Sequence, residues 1–315
     1  MRILSWQLRL LNPYLRLTEK THLSRAAAPE KLRRSFELKS RLFFRAPFGT
    51  RAAWRALGAG RSLRIAPRRG AQDRRVLYFH GGGYVFGSPR THSAMLGALV
   101  RHAGAEAILP EYPLAPEAPF PAAFNHAHAA YHACLAEGIS PSNLVIGGDS
   151  AGGGLALALL AQLIAQGAPL PAGAFAFSPL TDLRYAGDSV SSNARADVVL
   201  PTSRLSDMTE YYLSGHSADD PRASPLNADF TGAPPIWLTV GDTEILLDDS
   251  RRIDARLKDQ GVPVTLKIER DLPHVWPLFH NVLPEATATM KTLAFWIKAQ
   301  TDIQAGQAIA SVGMR

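Results

Sequence analysis

Apolar residues divide the chain into an N-terminal helical segment and a longer stretch in which strands and helices alternate. Residues 1–45 carry apolar side chains at helical spacing, at Leu4, Leu8, Leu11 and Leu15. Asn12-Pro13 predicts a break in this run, since a proline disfavours helical backbone in the residue before it. Pro29 is well placed to begin a second helix over residues 30–44. These helices expose large apolar residues, so they must lie against the body, a partner or a membrane surface.

After residue 70 the pattern changes to short apolar runs that alternate with helical ones. Strands are predicted at 75–80, 107–109, 143–146, 172–177, 236–240 and 264–268. Helices are predicted at 92–103, 122–136, 151–166, 247–260 and 284–299. This alternation predicts the α/β class, with a mostly parallel central sheet and helices on both faces. Residues 46–70 predict an irregular connection with short early strands, and the chain after Lys298 is predicted to fray.

The composition fits a folded α/β protein whose charge is uneven along the chain. Its 315 residues suit one large domain or two small ones, and 46% of them are hydrophobic. Residues 1–75 hold 19 Lys and Arg against 4 Asp and Glu, or +15, and the remainder holds 15 against 23, or −8. No nucleic-acid motif accompanies the basic segment, so we expect no nucleic-acid partner. A solvated arginine-rich surface accounts for the charge, and a weak membrane-surface contact stays open as the alternative.

The cysteine count and the apolar runs bear on the compartment. Cys134 is the single cysteine, so no intrachain disulfide forms, which fits a reducing compartment. Arg9 interrupts the apolar run near the N-terminus, so no secretory signal is predicted. No stretch reaches the roughly 18 apolar residues that a transmembrane helix needs. We therefore expect a cytoplasmic protein.

The glycine-rich turn at residues 148–153 has the form of a nucleophile elbow. Ser150 stands in Gly-Asp-Ser-Ala-Gly-Gly, between a predicted strand and a predicted helix. Such a turn presents the serine at the sheet edge, and its neighbours must be small because adjacent chain passes close by. A serine that only caps the helix is the alternative. The strand–turn–helix context favours a nucleophile, which needs a base to accept its proton.

The loop at residues 80–83 is the second part of this site. Its three glycines follow a predicted strand; they are Gly81, Gly82 and Gly83. Backbone amides there can hold the negative oxygen of a tetrahedral intermediate. We expect two of the three, with the amide of Ala151, to form the oxyanion hole. His80 and Asp149 are predicted to orient the site rather than to act as its base.

The base should follow the serine in the chain. His216, His274 and His280 remain after Ser150. His216 lies in a polar run and His280 in or near a short helix. His274 lies in the loop after the strand predicted at 264–268, which places it at the carboxyl edge of the sheet. His274 is therefore the predicted base.

Four carboxylates after the strand at 236–240 are candidates for the acid that orients this histidine. They are Asp242, Glu244, Asp248 and Asp249. Asp248 and Asp249 fall in the first turn of a helix, where negative charge suits the helix dipole. Glu244 lies at the apex of the loop and is favoured. Asp242, still in the tight turn, is the fallback.

With these motifs the chain resembles the hormone-sensitive-lipase-like family of α/β-hydrolases. Residues 80–87 look like the family's extended oxyanion loop. Residues 111–122 look like its proline-rich signature, apart from Pro113, where a basic residue is usual. Residues 221–226 look like the segment before the acid-bearing strand. The family's acid precedes a leucine by two positions and an aspartate by four, which implies Glu244 in place of the commoner aspartate.

The resemblance implies a carboxylesterase with an α/β-hydrolase fold and an N-terminal helical cap over residues 1–45. The catalytic domain would cover residues 46–300, with a cap insertion at about 185–217, and a tail would cover 301–315. A small ester would be hydrolysed through a Ser-His-Glu triad and an acyl-enzyme, without a cofactor. The scattered histidines offer no metal-ligand spacing. Short- or medium-chain esters, lactones and terpenoid esters all suit the apolar cap. A membrane-surface lipid hydrolase, a non-catalytic ligand receptor and a homodimer stay open as alternatives.

Overall fold

An eight-stranded sheet forms the centre of the computed structural model, which describes residues 4–25, 28–70 and 72–312. The strands are β1 Thr50–Leu57, β2 Gly60–Pro67, β3 Arg75–Phe79, β4 Glu106–Pro110, β5 Leu144–Asp149, β6 Gly173–Phe177, β7 Ile236–Gly241 and β8 Val264–Glu269. Their spatial order is β1-β2-β4-β3-β5-β6-β7-β8. The pairs β1–β2 and β2–β4 are antiparallel, and the other pairs are parallel. The predicted α/β class is confirmed.

Helices cover both faces of this sheet because alternate residues of a strand point to opposite sides. The helices are α1 Trp6–Leu15, α2 Thr21–Arg25, α3 Pro29–Phe43, α4 Pro89–Ala103, α5 Ala122–Ala136, α6 Ala151–Ala165, α7 Ser189–Ser192, α8 Leu205–Leu213, α9 Leu247–Asp259 and α10 Pro284–Val312. On β3, Leu77 and Phe79 belong to the core beneath α5, α6 and α9. Val76 and Tyr78 belong to the opposite core, beneath α4 and α10. Each strand residue therefore contributes to one of two layers.

The helices α1, α2 and α3 form the N-terminal cap. The predicted break at Asn12-Pro13 is wrong, because α1 continues through Pro13 and leads through a π-helical turn at Arg16–Lys20 into α2. A proline there removes one backbone hydrogen bond. Contacts with the body compensate, since Leu8 is buried and Asn12 Nδ2 donates to the carbonyl oxygen of Asp271 at 2.8 Å. In the part of the chain that the structure describes, no helix is both long and apolar enough to cross a bilayer.

Three further boundaries differ from the sequence-based expectation. β1 and β2 pair along their whole lengths, where an irregular connection with short strands was expected, because apolar β2 residues such as Leu63 and Ile65 pack into the core. α4 begins at Pro89, three residues early, since Ser88 Oγ accepts the amides of Arg90 and Thr91 at 3.2 Å. α10 continues to Val312 through the expected tail, where Ala and Gln favour a helix.

Candidate active site

The turn between β5 and α6 holds Ser150 in a strained conformation. Its φ and ψ are 52° and −123°, in a region that residues with a side chain rarely adopt. The backbone on either side is fixed, since Ser150 N donates to Phe177 O at 2.8 Å and Leu180 N donates to Ser150 O at 3.0 Å. A Cβ on Gly152 would overlap the carbonyl oxygen of Phe79. The glycine at this position is therefore a requirement of the close approach of two backbones.

The ends of four neighbouring strands bring the three predicted residues, together with Ser178, to one edge of the sheet. Ser150 follows β5, Ser178 follows β6, Glu244 follows β7 and His274 follows β8. Because these strands are parallel and adjacent, their carboxyl ends meet on the same side. Ser150 and His274 line one cavity at that edge.

Glu244 and His274 form a buried hydrogen-bonded pair. The Nδ1 atom of His274 lies 2.6 Å from Glu244 Oε2. The other carboxylate oxygen of Glu244 accepts hydrogen bonds from Ser178 Oγ at 2.8 Å and from the amide of Gly241 at 2.6 Å. Glu244 is 1% exposed and His274 8% exposed. Both carboxylate oxygens are thus engaged, and the imidazole is fixed by its Nδ1 nitrogen.

The electrostatics of this pair favour a protonated imidazole. Burial lowers the pKa of His274, but the hydrogen bond and the negative charge of Glu244 outweigh it, so that pKa lies above its usual value. Burial also raises the pKa of Glu244, against the opposing effect of the hydrogen bond with His274. The arrangement therefore stabilises the imidazolium that forms when this histidine accepts a proton.

The other candidate carboxylates make different contacts. Asp242 Oδ1 accepts the amide of Asp271 at 2.7 Å, which braces the turn after β8. Asp248 accepts the amide of Ser189 at 2.8 Å, and Asp249 accepts the amide of Thr181 at 2.7 Å. Among these four carboxylates, Glu244 is the one whose hydrogen bond to His274 is observed.

Asp149 holds the glycine loop from below. Its Oδ1 atom accepts the Tyr78 hydroxyl at 2.7 Å and the amide of Gly81 at 3.0 Å, and its Oδ2 atom lies 3.3 Å from His92 Nε2. Burial opposes ionisation of Asp149, but the charge of and hydrogen bond with His92 hold its pKa below the usual value. The amide of Gly81 is therefore already engaged, which leaves those of Gly82 and Gly83 as the two expected loop donors. Both have positive φ, at 116° and 60°.

His80 supports the loop from beneath. Its Nδ1 atom lies 2.8 Å from the carbonyl oxygen of Gly81, and its ring stacks on Tyr112 with centroids 4.3 Å apart. The Tyr112 hydroxyl donates to the carbonyl oxygen of His80 at 2.7 Å. Burial, with the nearby charge of His92, lowers the pKa of His80 to about 3. A histidine of this pKa stays neutral near pH 7, and it does not line the cavity.

Several polar residues of the site were missed from the sequence. Ser178, Asn193 and Asp197 contact Glu244 or the residue next to it. A signal existed for Ser178, because it directly follows a predicted strand at the same sheet edge. Asn193 and Asp197 lie in the insertion between β6 and β7, where sequence spacing does not indicate what they contact.

An apolar cavity of about 260 Å³ leads away from Ser150. The N-terminal cap supplies one wall, with Leu11, Leu15, Leu32, Phe36 and Phe44. The insertion supplies another, with Val199, Leu200, Leu205 and Met208. Two charged cap residues interrupt this surface, since Lys39 Nζ pairs with Glu19 Oε2 at 2.5 Å. Residues of the N-terminal helices and of the segment between β6 and β7 thus line the same cavity as Ser150.

Comparison with known proteins gives a consistent result. A family model described as an α/β-hydrolase fold matches residues 76–278. An acetyl-hydrolase of Streptomyces hygroscopicus is 40% identical over 238 residues, which cover 75% of this chain and 79% of that protein. An esterase of Acinetobacter venetianus is 33% identical over 290 residues, which cover 92% and 95%. The crystal structure of an esterase from the bacterial hormone-sensitive lipase family superposes with a TM-score of 0.90 at 36% identity, covering 95% of this chain and all of the other.

Proposed function

The chain belongs to the hormone-sensitive-lipase-like family of α/β-hydrolases and is a carboxylic ester hydrolase, and we propose that Ser150, His274 and Glu244 are its catalytic triad. The observation that carries the proposal is the 2.6 Å contact between Glu244 and His274 beside a cavity that Ser150 also lines. With Nδ1 engaged by the carboxylate, Nε2 is the nitrogen that remains for the serine.

The reaction proceeds in two halves. Ser150 Oγ attacks the ester carbonyl while its proton moves to His274 Nε2, which gives a tetrahedral intermediate and an imidazolium paired with Glu244. The carbon–oxygen bond to the alcohol then breaks, and the imidazolium proton leaves with that alcohol. Water gives its proton to His274 and attacks the acyl-serine. Collapse of the second intermediate releases the acid and returns the proton to Ser150 Oγ.

The oxyanion is held by backbone amides. We assign this role to Gly82, Gly83 and Ala151, since the amide of Gly81 is engaged by Asp149. Each such donor contributes roughly 3 kcal/mol to lowering the barrier. The glycine loop is held beside the elbow by Asp149, which binds it directly, and by Tyr78 and His92, which bind Asp149.

The substrate class follows from the cavity. Its walls are apolar and its volume is about 260 Å³, so they favour a short or medium acyl chain, a lactone or a compact terpenoid acyl group over a long fatty chain. A panel of esters from acetyl to dodecanoyl, with lactones alongside, tests this. A maximum at dodecanoyl would reject the size argument.

The serine assignment is tested with Ser150→Ala on a short-chain aryl ester. Turnover should fall by at least about 10⁴-fold while the fold and melting temperature are retained. Ser93→Ala is the matched control, because the Ser93 hydroxyl donates to the carbonyl oxygen of Arg90 on α4. Full activity in Ser150→Ala would reject the nucleophile.

A second candidate function, hydrolysis of lipid esters at a membrane surface, is favoured by the outer face of the cap. Large apolar side chains are exposed there, at Trp6, Leu10, Leu17, Leu38 and Leu42. Exposed arginines alternate with them, at Arg9, Arg16, Arg34 and Arg41. Tyr14 and Phe43 line the cavity and are also half exposed, so the apolar face continues into the cavity mouth. An apolar face with a basic rim suits an anionic bilayer.

Co-sedimentation with phosphatidylcholine vesicles, with and without phosphatidylglycerol, tests this candidate. Binding should require the anionic lipid and weaken in the triple variant Trp6→Ser, Leu10→Ser, Leu17→Ser. Phe295→Ser, which removes an exposed phenyl group from α10, is the matched control. Sedimentation velocity distinguishes the homodimer, because a dimer closed by this face would dissociate in the triple variant without any lipid effect.

A further inference from the structure

One short segment of the insertion contacts both the loop that carries Glu244 and the N-terminal cap. We call residues 193–197 the bridging segment. It lies between α7 and the bend at residues 198–199, and its ends carry Asn193 and Asp197. Neither residue lines the cavity, so their contacts with substrate are indirect.

On the side of the acid, both ends of the bridging segment bind the loop after β7. Asn193 Nδ2 donates to the carbonyl oxygens of Asp242 at 3.0 Å and of Glu244 at 2.8 Å. Asp197 Oδ2 accepts the amide of Ile245 at 3.0 Å. The peptide group between Glu244 and Ile245 is therefore held at both of its polar atoms, at its carbonyl oxygen by the Asn193 side-chain amide and at its N–H by the Asp197 carboxylate.

Asp197 is a buried carboxylate whose partners are backbone amides. It is 1% exposed, and its Oδ1 atom accepts the amides of Val199 at 2.8 Å and Leu200 at 2.9 Å. A buried carboxylate is retained only when its hydrogen bonds are satisfied, and here three amides satisfy it. This carboxylate therefore lies close to the pair of Glu244 and His274.

On the side of the cap, two cations bind four successive carbonyl groups of the bridging segment. Lys20 Nζ donates to the carbonyl oxygens of Ala194 at 2.7 Å and of Asp197 at 2.6 Å. The guanidinium of Arg16 donates to those of Arg195 at 2.6 Å and of Ala196 at 3.1 Å. Arg16 and Lys20 are the first and last residues of the π-helical turn between α1 and α2. The π-helical turn of the cap is thus the part that binds the bridging segment.

We propose that Asn193 and Asp197 are positioning residues for Glu244, and that Arg16 and Lys20 couple the seating of the N-terminal cap to the geometry of that acid. The proposal rests on the triad assigned above. A cap that is displaced from the cavity would release four carbonyl groups and loosen the loop that aims Glu244 at His274. Closure of the cap over an acyl group would therefore also complete the catalytic pair, which links substrate enclosure to turnover.

The electrostatic contribution of Asp197 separates this role from simple packing. The negative groups that raise the pKa of His274 are Glu244, then Asp197 and Asp149. Arg16 and Lys20 face the carbonyl groups on the far side of the segment. Removal of the Asp197 charge should therefore lower the pKa of His274, whereas a loss of packing that leaves the Glu244–His274 hydrogen bond intact would leave that pKa where it is.

Asp197→Asn is the first test, with Asp229→Asn as its matched control. Asp229 Oδ1 accepts the amide of Thr231, two residues on, at 2.9 Å, as Asp197 Oδ1 accepts that of Val199. We expect Asp197→Asn to lower kcat by about 10-fold or more, because a misaimed acid costs turnover, and to move the acid limb of kcat/KM to lower pH. An unchanged limb in a folded Asp197→Asn variant would overturn the electrostatic role.

The coupling is tested with Lys20→Met, Asn193→Ala and the double variant, on an acetyl ester too small to need the cap. Each single change should lower kcat more than it raises KM, and the double variant should fall no further than the worse single one. Lys258→Met, which removes an exposed lysine paired with Asp254, is the control. An effect of Lys20→Met on KM for longer esters alone, with kcat for the acetyl ester intact, would overturn the coupling. A wild-type protein without esterase activity would instead reject the proposed function itself.

Discussion

At the scale of single residues, the site depends on how many hydrogen bonds one carboxylate accepts. Glu244 accepts three, from His274, Ser178 and Gly241. In Glu244→Gln one carboxylate oxygen is replaced by an NH2 group, which cannot accept a hydrogen bond from the donor that it faces. The histidine is then no longer oriented and its positive charge no longer balanced, so kcat should fall on the order of 10³–10⁴-fold. Stopped-flow or steady-state kinetics on an aryl ester measure the loss. Asp242→Asn is the comparison, and a larger loss there than in Glu244→Gln would transfer the acid role to Asp242.

The pH dependence follows from the raised pKa of His274. Neutral imidazole is the form that accepts the serine proton, so activity is lost as pH falls through the folded-state pKa. Since Glu244 raises that pKa, the acid limb of kcat/KM should lie above pH 6.5, the ordinary value for histidine. A pH–rate profile between pH 4 and 9 checks this, with Ser150→Ala for background hydrolysis. A flat profile down to pH 4 would contradict His274 as the base.

Sequence reasoning identifies residues that a motif or a strand end defines, and it misses those that tertiary contacts define. The placement of Ser150 and His274 at one edge of the sheet could be predicted because one lies in an elbow and the other follows a later strand. The contacts of Asn193 and Asp197 could not, since the insertion has no periodic pattern that indicates which loop it meets. Gly81 shows the intermediate case, because its place in the loop was predicted but its bond to Asp149 was not.

At the scale of elements, the elbow requires a glycine at Gly152 more strictly than at the neighbouring Gly153. A Cβ on Gly152 would overlap the backbone of β3 at Phe79, which cannot move without shifting the glycine loop at residues 81–83. Gly152→Ala should therefore destabilise the protein by roughly 1–3 kcal/mol or more and abolish activity. A Cβ on Gly153 meets Ala176 Cβ at 3.1 Å, and alanine is the better helix former, so Gly153→Ala should stay within about 1 kcal/mol of wild type. Urea unfolding of both variants checks this order, and equal destabilisation would contradict it.

Elements were well predicted where the pattern is strong and less well where packing overrides local preference. The predicted α5 coincides with Ala122–Ala136, and the strands of the parallel sheet fall within a few residues of their predicted positions. The break at Asn12-Pro13 was wrong because α1 gains more from contact with the body than it loses at one proline. The tail at 301–312 is helical because Arg74 binds Thr301 and Asp302 at its start and the helix propensity of the following residues extends it.

At the scale of the whole molecule, the uneven charge has a structural counterpart. The basic residues of positions 1–75 include the two that grip the bridging segment, Arg16 and Lys20, and Arg33, which pairs with Glu117 at 2.6 Å. The N-terminal cap is thus attached to an acidic body partly by charge. This attachment accounts for part of the +15 without a membrane, and the exposed arginines of the outer face account for another part.

The free energy of unfolding should depend on pH through one buried carboxyl group that takes no part in the reaction, that of Asp249. Asp249 is buried, it accepts the amides of Thr181 at 2.7 Å and Asp182 at 3.0 Å through one oxygen, and no partner of its other oxygen is found among the described residues. Burial raises the pKa of Asp249 to about 7. The folded protein therefore holds a proton here that the unfolded chain releases near pH 4.

The sign of the effect on stability follows from this difference. Between about pH 4 and pH 7 the folded state binds more protons than the unfolded state, so the contribution of Asp249 to stability falls as pH rises and is constant above about pH 7. Asp249→Asn keeps an acceptor for both amides and does not titrate. The free energy of unfolding of Asp249→Asn minus that of wild type should therefore rise from pH 4 to 7 and then level off. Urea titrations across that range measure this difference. The contributions of the other titrating groups are common to both proteins and cancel in it. Asp229→Asn, at an exposed carboxylate, is the control. A difference that is constant with pH would mean that Asp249 is ionised in the folded protein at every pH tested.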